Sequence, residues 1–504
     1  MENITVWITI AIYIIVMMVI GIIAGKGSKS VADLTVGGRN AGAWISAMSY
    51  GAAYFSAVMF VGYAGGTGLQ YGLWGIFSGI GNAVFGSWLA WKVLARRTRD
   101  VSARLKIKTM PQFFAVRYNS GAMKLFSSIV IFFFLIPYSA SVYKGLASVA
   151  EVLLGIDDTI CMIIIAALSM AMLLFGGYFV QSRADFVQGI IMMFGVAALI
   201  FAIVRSDAVG GIAGLFEYAH SPQGLPKLDK MQIISLSSVV LMTSFGTWGL
   251  PQMIQKFFGI KDDEQAKKGI VISTFFGFLV AGGGYFIGSL CHRFFTVGVD
   301  MPAQDYIVPT MLKVANISNV LLGIVIVLLI AASVSTLCSI TLTASSTFTI
   351  DLLKVMLKDK LNEKNTSKII KILCVFFVAL SYVVANTDTP ILDMMSYSWG
   401  IISGSFLAPY VLALYVKWLN RAGAWSGMIG GFTIAIIPAL CKMIIIVGGS
   451  TNASLINIAA KGPIFAVSAM VASIILCLAV SAITNKIYIK NNDEFFYTGI
   501  VKTE

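Results

Sequence analysis

The sequence predicts an all-α polytopic membrane protein, and three observations support this fold class. Of the 504 residues, 58% are hydrophobic and only 12% are charged, whereas a soluble domain carries about 25% charged residues. The apolar residues form long runs that reach the ~20 residues a helix needs to cross a bilayer. Lysine and arginine are distributed unevenly between alternate loops. The chain is therefore expected to lie mainly within the membrane.

The apolar runs predict about thirteen crossings and no large soluble domain. The first run lacks a small-residue cleavage site, so we interpret it as a membrane helix rather than a signal peptide. The longest polar stretches, 92–124 and 205–235, are too short to enclose a core. The predicted crossings are 5–24, 42–66, 72–96, 125–153, 158–178, 184–204, 236–257, 269–292, 317–347, 369–386, 391–416, 422–447 and 462–485.

The basic residues predict the orientation in the membrane. With the N-terminus outside, 28 of the 36 Lys and Arg residues lie in loops assigned to the cytoplasm, as the positive-inside rule requires. We therefore expect a multi-pass protein of the plasma (inner) membrane with a cytoplasmic C-terminus. This bias of basic residues accounts for much of the net charge of +13 without nucleic acid as a partner. The basic segment 92–124 could be an RNA or lipid patch, but we interpret it as a topology signal that touches anionic headgroups. The bilayer is the expected partner, and no obligatory protein partner is predicted.

The sequence contains no pattern typical of catalysis or of a metal cluster. The six cysteines lie in or beside apolar runs without a CxxC motif, and the two histidines, His220 and His292, are isolated. HExxH, GxSxG and Walker patterns are also missing from the sequence. We expect that the protein is neither an enzyme nor a nucleotide-driven pump.

Two crossings carry residues that interrupt a helix in its middle. AMSYGAAYFSAVMFVGYAGG (47–66) is rich in small residues, which would also suit close helix packing. Five crossings later, residues 241–257 contain Gly246, Gly249 and Pro251, which weaken or remove helical hydrogen bonds. Freed backbone groups are tolerated in a membrane only where protein or a water-filled cavity meets them. This pattern predicts an inverted-repeat transporter.

The repeat hypothesis also predicts how the chain is divided. Five crossings in each half force the two halves into opposite orientations. The predicted segments are an N-terminal extra helix and loop (1–34), a first five-helix repeat (35–204), an extracellular loop (205–235), a second five-helix repeat (236–420), C-terminal extra helices (421–485) and a cytoplasmic tail (486–504).

A later crossing, residues 331–351, is unusually rich in serine and threonine. Hydroxyl groups in membrane helices often bond to their own backbone. Ala332, Ser335 and Thr336, however, are spaced i, i+3 and i+4 and share one face. Their oxygens would form half of a cation cage, which carbonyls freed at the first interrupted helix would complete. Neutral oxygens suit Na⁺, because they replace part of its hydration shell and still let it leave.

Several stretches resemble, in order, landmarks of the sodium:solute symporter family. They are GGRNAGAWISAMSYGAAYFSA, FGGYFVQSRADFVQG (175–189), FGTWGLPQMIQKF (245–257), VSTLCS (334–339) and the stretch 396–431. The resemblance covers roughly residues 35–435 and is closest to the sodium/proline symporter branch. It implies a LeuT-like fold of two inverted five-helix repeats with peripheral helices. It also implies Na⁺-coupled uptake of a small solute by alternating access.

The resemblance implies a set of Na⁺ ligands when it is carried over position by position. They are the carbonyls of Ala52, Phe55 and Ala332 and the hydroxyls of Ser335 and Thr336.

Asp185 corresponds to an acidic residue near the inner sodium exit path of the family. Predicted at the cytoplasmic start of a crossing, it would attract a departing cation. It could equally cap the helix or pair with Arg183. Where some relatives place serines for a second sodium site, this chain has Cys338 and Ser339. Because a thiol is a poor ligand for Na⁺, we expect one coupled sodium ion.

The substrate is expected between the two broken helices, near the middle of the bilayer. Aromatic rings with a polar edge suit a small-ligand pocket, although the same residues serve packing and interfacial belts. The candidates are Tyr54, Ser56, Tyr138, Thr247, Trp248, Tyr397 and Trp399.

The predicted function is Na⁺-coupled import of a small organic solute, such as an amino acid like proline or a small carboxylate. The proline branch carries an acidic residue where this chain has Tyr54, and Lys144 is the basic residue expected near the cavity. The alternatives are a symporter for a sugar, vitamin or osmolyte, and a cation channel. A channel would require a repeated pore loop or a ring of charges, neither of which the sequence contains.

Overall fold

The computed structural model describes residues 4–25, 31–357, 361–387 and 389–484. The predicted tail, 486–504, and with it the C-terminus lie outside these residues. The α-helices of the first half are α1 (Ile4–Gly25), α2 (Val31–Val36), α3 (Ala43–Tyr54), α4 (Gly65–Tyr71), α5 (Ile76–Gly81), α6 (Arg96–Arg104), α7 (Met110–Tyr118), α8 (Gly121–Leu154), α9 (Asp158–Arg205), α10 (Gly211–Ala219), α11 (Lys230–Phe245) and α12 (Pro251–Phe258).

The second half of the described chain is equally helical. Its α-helices are α13 (Asp263–Gly277), α14 (Gly283–Ser289), α15 (Cys291–Phe294), α16 (Ile307–Val314), α17 (Asn319–Thr347), α18 (Lys354–Met356), α19 (Glu363–Ala385), α20 (Ile391–Tyr415), α21 (Arg421–Ala435), α22 (Ile437–Gly448), α23 (Ala453–Ala459) and α24 (Gly462–Thr484). Segments of π-helix extend or join several of them, at Met59–Ala64, Asn82–Leu89, Trp91–Ala95, Phe278–Gly282 and Phe348–Leu353.

The helices confirm the prediction of an all-α polytopic membrane protein. Within the described ranges, ten helices are long and apolar enough to cross a membrane, and a broken pair bent by 54° brings the number to eleven. The predicted crossings 158–178 and 184–204 form one assigned helix, α9, which Gly177 interrupts with a φ of 58°. Gly72, with a φ of 55°, similarly separates α4 from the helices that follow. The count of thirteen crossings stays a prediction.

Both predicted helix interruptions are present. The first helix, α3, ends at Tyr54, and Phe55 leaves the helical conformation with φ −103° and ψ 95°. In the second, α11 continues as a 3₁₀ turn over Gly246–Trp248. Leu250 is then extended, with φ −79° and ψ 121°, before α12 begins. Pro251 is the first residue of α12, where its missing amide hydrogen leaves no helical bond unmade.

The hydroxyl-rich helix α17 lies at the centre of the molecule. It packs against α1, α3, α8, α9 and α19, and residues 331–347 are all buried. Helices at the periphery instead expose large apolar side chains, such as Ile15 of α1 and Val447 of α22. Such side chains suit contact with lipid. The residues predicted to bind Na⁺ therefore lie in the protein interior and not on a lipid-facing surface.

A short main-chain bridge joins the segment before α3 to the segment after α12. The amide of Ala41 donates to the Gly259 carbonyl at 3.1 Å, and the amide of Lys261 donates to the Ala41 carbonyl at 3.0 Å. The first amide of α3, at Ala43, also donates to Gln265 Oε1 at 2.9 Å. Hydrogen bonds thus connect the two broken helices where α3 begins and α12 ends.

The close approach of α4 to α14 generates a prediction about stability. A Cβ added at Gly68 would lie 1.9 Å from the Gly288 carbonyl oxygen. Because a main-chain atom cannot move aside as a side chain can, we expect Gly68→Ala to destabilise the fold by about 1–3 kcal/mol. The measurement is thermal unfolding of the purified protein in detergent.

Gly282→Ala is the matched control, because nothing lies within 4 Å of a Cβ at that helical glycine. It should preserve the melting temperature or raise it, since alanine favours a helix over glycine. Equal melting temperatures for Gly68→Ala and the wild type would contradict the helix packing described here.

Candidate ion and substrate site

The end of α3 and the middle of α17 meet at Thr336. The Thr336 Oγ1 atom lies 3.3 Å from the Ala52 carbonyl oxygen, 3.4 Å from that of Ala53 and 2.9 Å from that of Ala332. These residues are buried. The helical hydrogen bonds of α3 end where the Phe55 amide donates to the Gly51 carbonyl. Neutral oxygens from two helices therefore converge in a buried environment, and this donor set suits an alkali cation.

Ser335, the residue beside Thr336, contacts a carboxylate. Its hydroxyl donates to Asp185 Oδ1 at 2.7 Å, and the Ser49 hydroxyl donates to Asp185 Oδ2 at 2.5 Å. The Lys256 Nζ atom lies 3.0 Å from Asp185 Oδ2 and 2.9 Å from Ser49 Oγ. Asp185 is fully buried and Lys256 is 2% exposed. We call Asp185, Lys256, Ser49 and Ser335 the ion-pair cluster.

The surroundings of Asp185 differ from the alternatives that the sequence left open. Asp185 lies eight residues beyond the interruption at Gly177, inside the second part of α9 and not at its start. Arg183 does not pair with it. The Arg183 guanidinium donates to the Phe179 carbonyl at 3.0 Å and lies 3.5 Å from the centre of the Phe179 ring.

Two lysines have partners that the sequence did not indicate. Lys256 is one of the 28 basic residues that the predicted orientation assigned to cytoplasmic loops, whereas the structure places it in α12 and buries it. The sequence could have indicated this burial, because Lys256 falls within the predicted crossing 236–257. An ionisable side chain inside a crossing is expected to have a partner. Lys144, predicted near the cavity, donates to the carbonyls of Thr387 and Thr389 at 2.9 and 3.1 Å. It therefore binds the segment that follows α19.

Three of the predicted substrate residues form one aromatic cluster. The rings of Tyr138 and Trp399 meet edge to face with centres 5.5 Å apart, and the Tyr54 ring lies 6.1 Å from Trp399. The Tyr54 hydroxyl donates to the Thr243 carbonyl of α11 at 2.6 Å, so it links the two broken helices. The Tyr138 hydroxyl and the Trp399 indole nitrogen are buried without a hydrogen bond of normal geometry in the described chain.

The other four predicted substrate residues make hydrogen bonds to backbone atoms. Ser56 and Thr247 bond locally at the two helix breaks, whereas Trp248 and Tyr397 bond to other elements. The pairs are Ser56 Oγ with the Val58 amide (3.2 Å), Thr247 Oγ1 with the Ser244 carbonyl (2.9 Å), Trp248 Nε1 with the Phe85 carbonyl (3.0 Å) and Tyr397 Oη with the Ala459 carbonyl (2.9 Å).

Gln252 is a candidate that no sequence pattern indicated. It is 1% exposed, and neither polar atom of its amide has a partner among the described residues. It precedes Gln255 and Lys256 by three and four residues and so shares their face of α12. Gln255 Oε1 accepts a hydrogen bond from Thr343 of α17 at 2.6 Å, which shows that this face is turned toward α17. Gln252 therefore offers a buried donor and acceptor in the first turn of α12, directly after the helix break.

The link made by Tyr54 generates a second prediction. Tyr54→Phe removes the hydrogen bond to the Thr243 carbonyl, and we expect it to lower the free energy of unfolding by about 0.5–1.5 kcal/mol. Tyr143→Phe is the control, because the Tyr143 hydroxyl is also buried but has no partner in the described chain. Thermal unfolding in detergent compares the two. Equal losses of stability would argue against the Tyr54 bond.

Known proteins with similar sequences identify the family of this chain. A sequence model of the sodium:solute symporter family matches residues 34–431. The osmoregulated proline transporter OpuE of Bacillus subtilis (strain 168) is 29% identical over 448 residues, which cover 86% of this chain and 89% of the relative. A sodium/proline symporter of Staphylococcus aureus (strain bovine RF122 / ET3-1) is 28% identical over 447 residues, which cover 86% of this chain and 85% of the relative.

The fold is similar to that of a solved symporter. A Na⁺-coupled sialic acid symporter, in its substrate-bound outward-open state, superposes with a TM-score of 0.75 at 17% sequence identity, covering 97% of this chain and 98% of that one. The expected LeuT-like fold with its two inverted repeats is confirmed, and the family and the relatives are transporters. The chain belongs to the sodium:solute symporter family and is a Na⁺-coupled secondary symporter.

Proposed function

We propose that this symporter imports a small amino acid or carboxylate together with one Na⁺. The observation that carries the proposal is the position of Thr336 Oγ1, which lies within 3.4 Å of carbonyl oxygens on both sides of the contact between α3 and α17. In the proposed orientation, with the N-terminus outside and the C-terminus in the cytoplasm, transport proceeds inward across the cell membrane.

Na⁺ is a transported substrate in this scheme, and its ligands are neutral oxygens. We assign to it the carbonyls of Ala52, Phe55 and Ala332 and the hydroxyls of Ser335 and Thr336. Such a site holds the ion at moderate strength, which transport requires because the ion must leave again. By bridging α3 and α17, Na⁺ fixes the residues at the first helix break. Tyr54 lies at this break and belongs to the aromatic cluster with Tyr138 and Trp399.

A single sodium ion is supported by the side chains one turn further along α17. Gln181 Nε2 donates to Ser339 Oγ. Cys338 Sγ lies 3.5 Å from the Ser169 carbonyl oxygen, and a thiol is a poor ligand for a hard cation. We therefore place no second ion at these positions.

The substrate class follows from the polar atoms that remain free. Gln252 supplies a buried donor without a partner in the described chain, and Tyr138 and Trp399 supply buried donors without a hydrogen bond of normal geometry there. Donors of this kind suit a carboxylate. Gln252 also supplies an acceptor for an amino group. Lys144 is bound to backbone carbonyls and Lys256 to Asp185, so neither provides the positive charge. The two relatives named above transport proline by name, and proline is the first substrate to test.

Coupling arises because Na⁺ and the solute act on the same helix break. Each ligand should then raise the affinity for the other by the same factor. The membrane potential adds roughly 2.3 kcal/mol per 100 mV for each positive charge that moves inward.

Removal of the α17 ligands tests the ion site. We expect the Ser335→Ala/Thr336→Ala variant to require at least about tenfold more Na⁺ for half-maximal uptake, because it loses two oxygens of the cage. Ser333→Ala is the control on the same helix, because the Ser333 hydroxyl is buried without a partner in the described chain. Uptake into proteoliposomes at varied external Na⁺ is the measurement. A folded double variant with an unchanged Na⁺ requirement would contradict this ligand assignment.

A thermal-shift screen tests the substrate class. Purified protein is heated with proline, other small amino acids or small carboxylates, in NaCl or in choline chloride. We expect a raised melting temperature for an amino acid or carboxylate in NaCl alone, since a ligand that binds the folded state stabilises it. Stabilisation by sugars or vitamins, or by any solute equally well without Na⁺, would contradict the proposed substrate or its coupling.

A further inference from the structure

Lys256 is an ammonium group held inside the protein beside the proposed sodium ligands. Its Nζ atom lies 3.0 Å from Asp185 Oδ2, 2.9 Å from Ser49 Oγ and 5.1 Å from the centre of the Tyr178 ring. An ammonium buried this deeply requires an opposite charge and hydrogen-bond acceptors. Asp185 supplies the charge and Ser49 an acceptor. The pair is thus a neutral unit built from one fixed cation and one fixed anion.

The carboxylate of this pair is also connected to the ion site. Asp185 Oδ1 accepts the hydrogen bond of Ser335 at 2.7 Å, while Oδ2 faces Lys256. Ser335 is followed directly by Thr336, which lies against the Ala52 carbonyl at 3.3 Å. A cation bound at Thr336 would therefore lie next to the carboxylate that Lys256 neutralises.

Lys256 lies on the side of the ion site that is nearer to the beginning of α3. Ser49, its partner on α3, precedes Ala52 by three residues, which corresponds to about 4.5 Å along a helix. This displacement is toward the beginning of α3, where the main-chain bridge joins the two broken helices. In the proposed orientation this end faces the cytoplasm. The ion-pair cluster thus lies between the sodium ligands and the cytoplasm.

We propose that Lys256 is a tethered competitor of Na⁺ for Asp185. While Lys256 neutralises Asp185, the neutral oxygens alone hold the sodium ion. When the cytoplasmic side opens and α12 carries Lys256 away, the exposed carboxylate draws Na⁺ out of its site. The returning ammonium then displaces the ion toward the cytoplasm. This role rests on the proposed function, and it makes Lys256 a positioning residue that controls how tightly Na⁺ is held.

Equilibrium binding of radioactive Na⁺ to purified full-length protein tests the competition without relying on transport. We expect Lys256→Met to lower the Na⁺ concentration for half-maximal binding by about tenfold, because Asp185 then lacks its internal cation. Lys256→Arg keeps the positive charge and should retain the wild-type midpoint. In proteoliposomes, Lys256→Met should slow net uptake driven by a Na⁺ gradient but preserve solute exchange with Na⁺ on both sides.

A purely structural role for Lys256 predicts a different result. Lys256→Met would then melt at a lower temperature, and its Na⁺-binding midpoint would be unchanged or raised. That outcome would overturn the competition.

A second variant covers the case in which Lys256→Met does not fold. Asp185→Asn/Lys256→Gln removes both charges and should bind Na⁺ with a midpoint close to that of the wild type, because the ion meets no net fixed charge in either protein. Binding weakened several-fold in this variant would mean that Asp185 attracts Na⁺ in spite of Lys256, and the proposal would fail.

The wild-type protein separates this inference from the proposed function. Na⁺ binding by the wild type with an unchanged midpoint in Lys256→Met would leave the function standing and overturn the competition. Binding by Lys256→Met but not by the wild type would support the competition and overturn the proposed coupling. If neither protein binds Na⁺, both proposals fall.

Discussion

The structure depends on one contact, that of the Thr336 hydroxyl with the carbonyls at the end of α3. A membrane helix normally satisfies its backbone by its own hydrogen bonds, and an interruption is tolerated only where other polar groups meet it. Here α3 stops at Tyr54, and α17 presents a hydroxyl to the carbonyls of Ala52 and Ala53. The helix α17 is deeply buried among the helices that pack against it, and this burial keeps the contact away from lipid.

The charged groups of the ion-pair cluster lie beside this contact and not within it. Thr336 contacts main-chain oxygens, whereas its neighbour Ser335 contacts the carboxylate of Asp185. Two adjacent residues of α17 therefore connect the neutral oxygens around Thr336 to the ion pair of Asp185 and Lys256. A carboxylate placed directly in the cage would hold a cation more tightly, and tight binding opposes release. In the proposed function, this separation lets neutral oxygens hold the ion while the neighbouring charge pair acts on its release.

The sequence predicted the elements of the fold better than the partners of individual side chains. Both helix breaks could be foreseen. Gly246, Gly249 and Pro251 weaken or remove helical hydrogen bonds at the second break, and a stretch rich in small residues marked the first. Leu250 and Phe55 adopt extended conformations there. The shared face of Ser335 and Thr336 followed from helical periodicity. The pairing of Lys256 with Asp185 could not be foreseen, because it joins α12 to α9 and depends on how the helices pack. Basic residues near a helix end are also counted as topology signals, and this concealed the buried position of Lys256.

The bridge between Ala41 and the strand-like segment at Gly259–Lys261 has a mechanical consequence. Two main-chain hydrogen bonds join the segment before α3 to the segment after α12. Each bond contributes about 0.5–1.5 kcal/mol to stability. Rotating α12 alone would rupture them, whereas rotating α3 and α12 as one rigid body would leave them intact. A concerted tilt of α3 and α12 would therefore preserve this bridge, and both half-helices would move together at that end of the molecule.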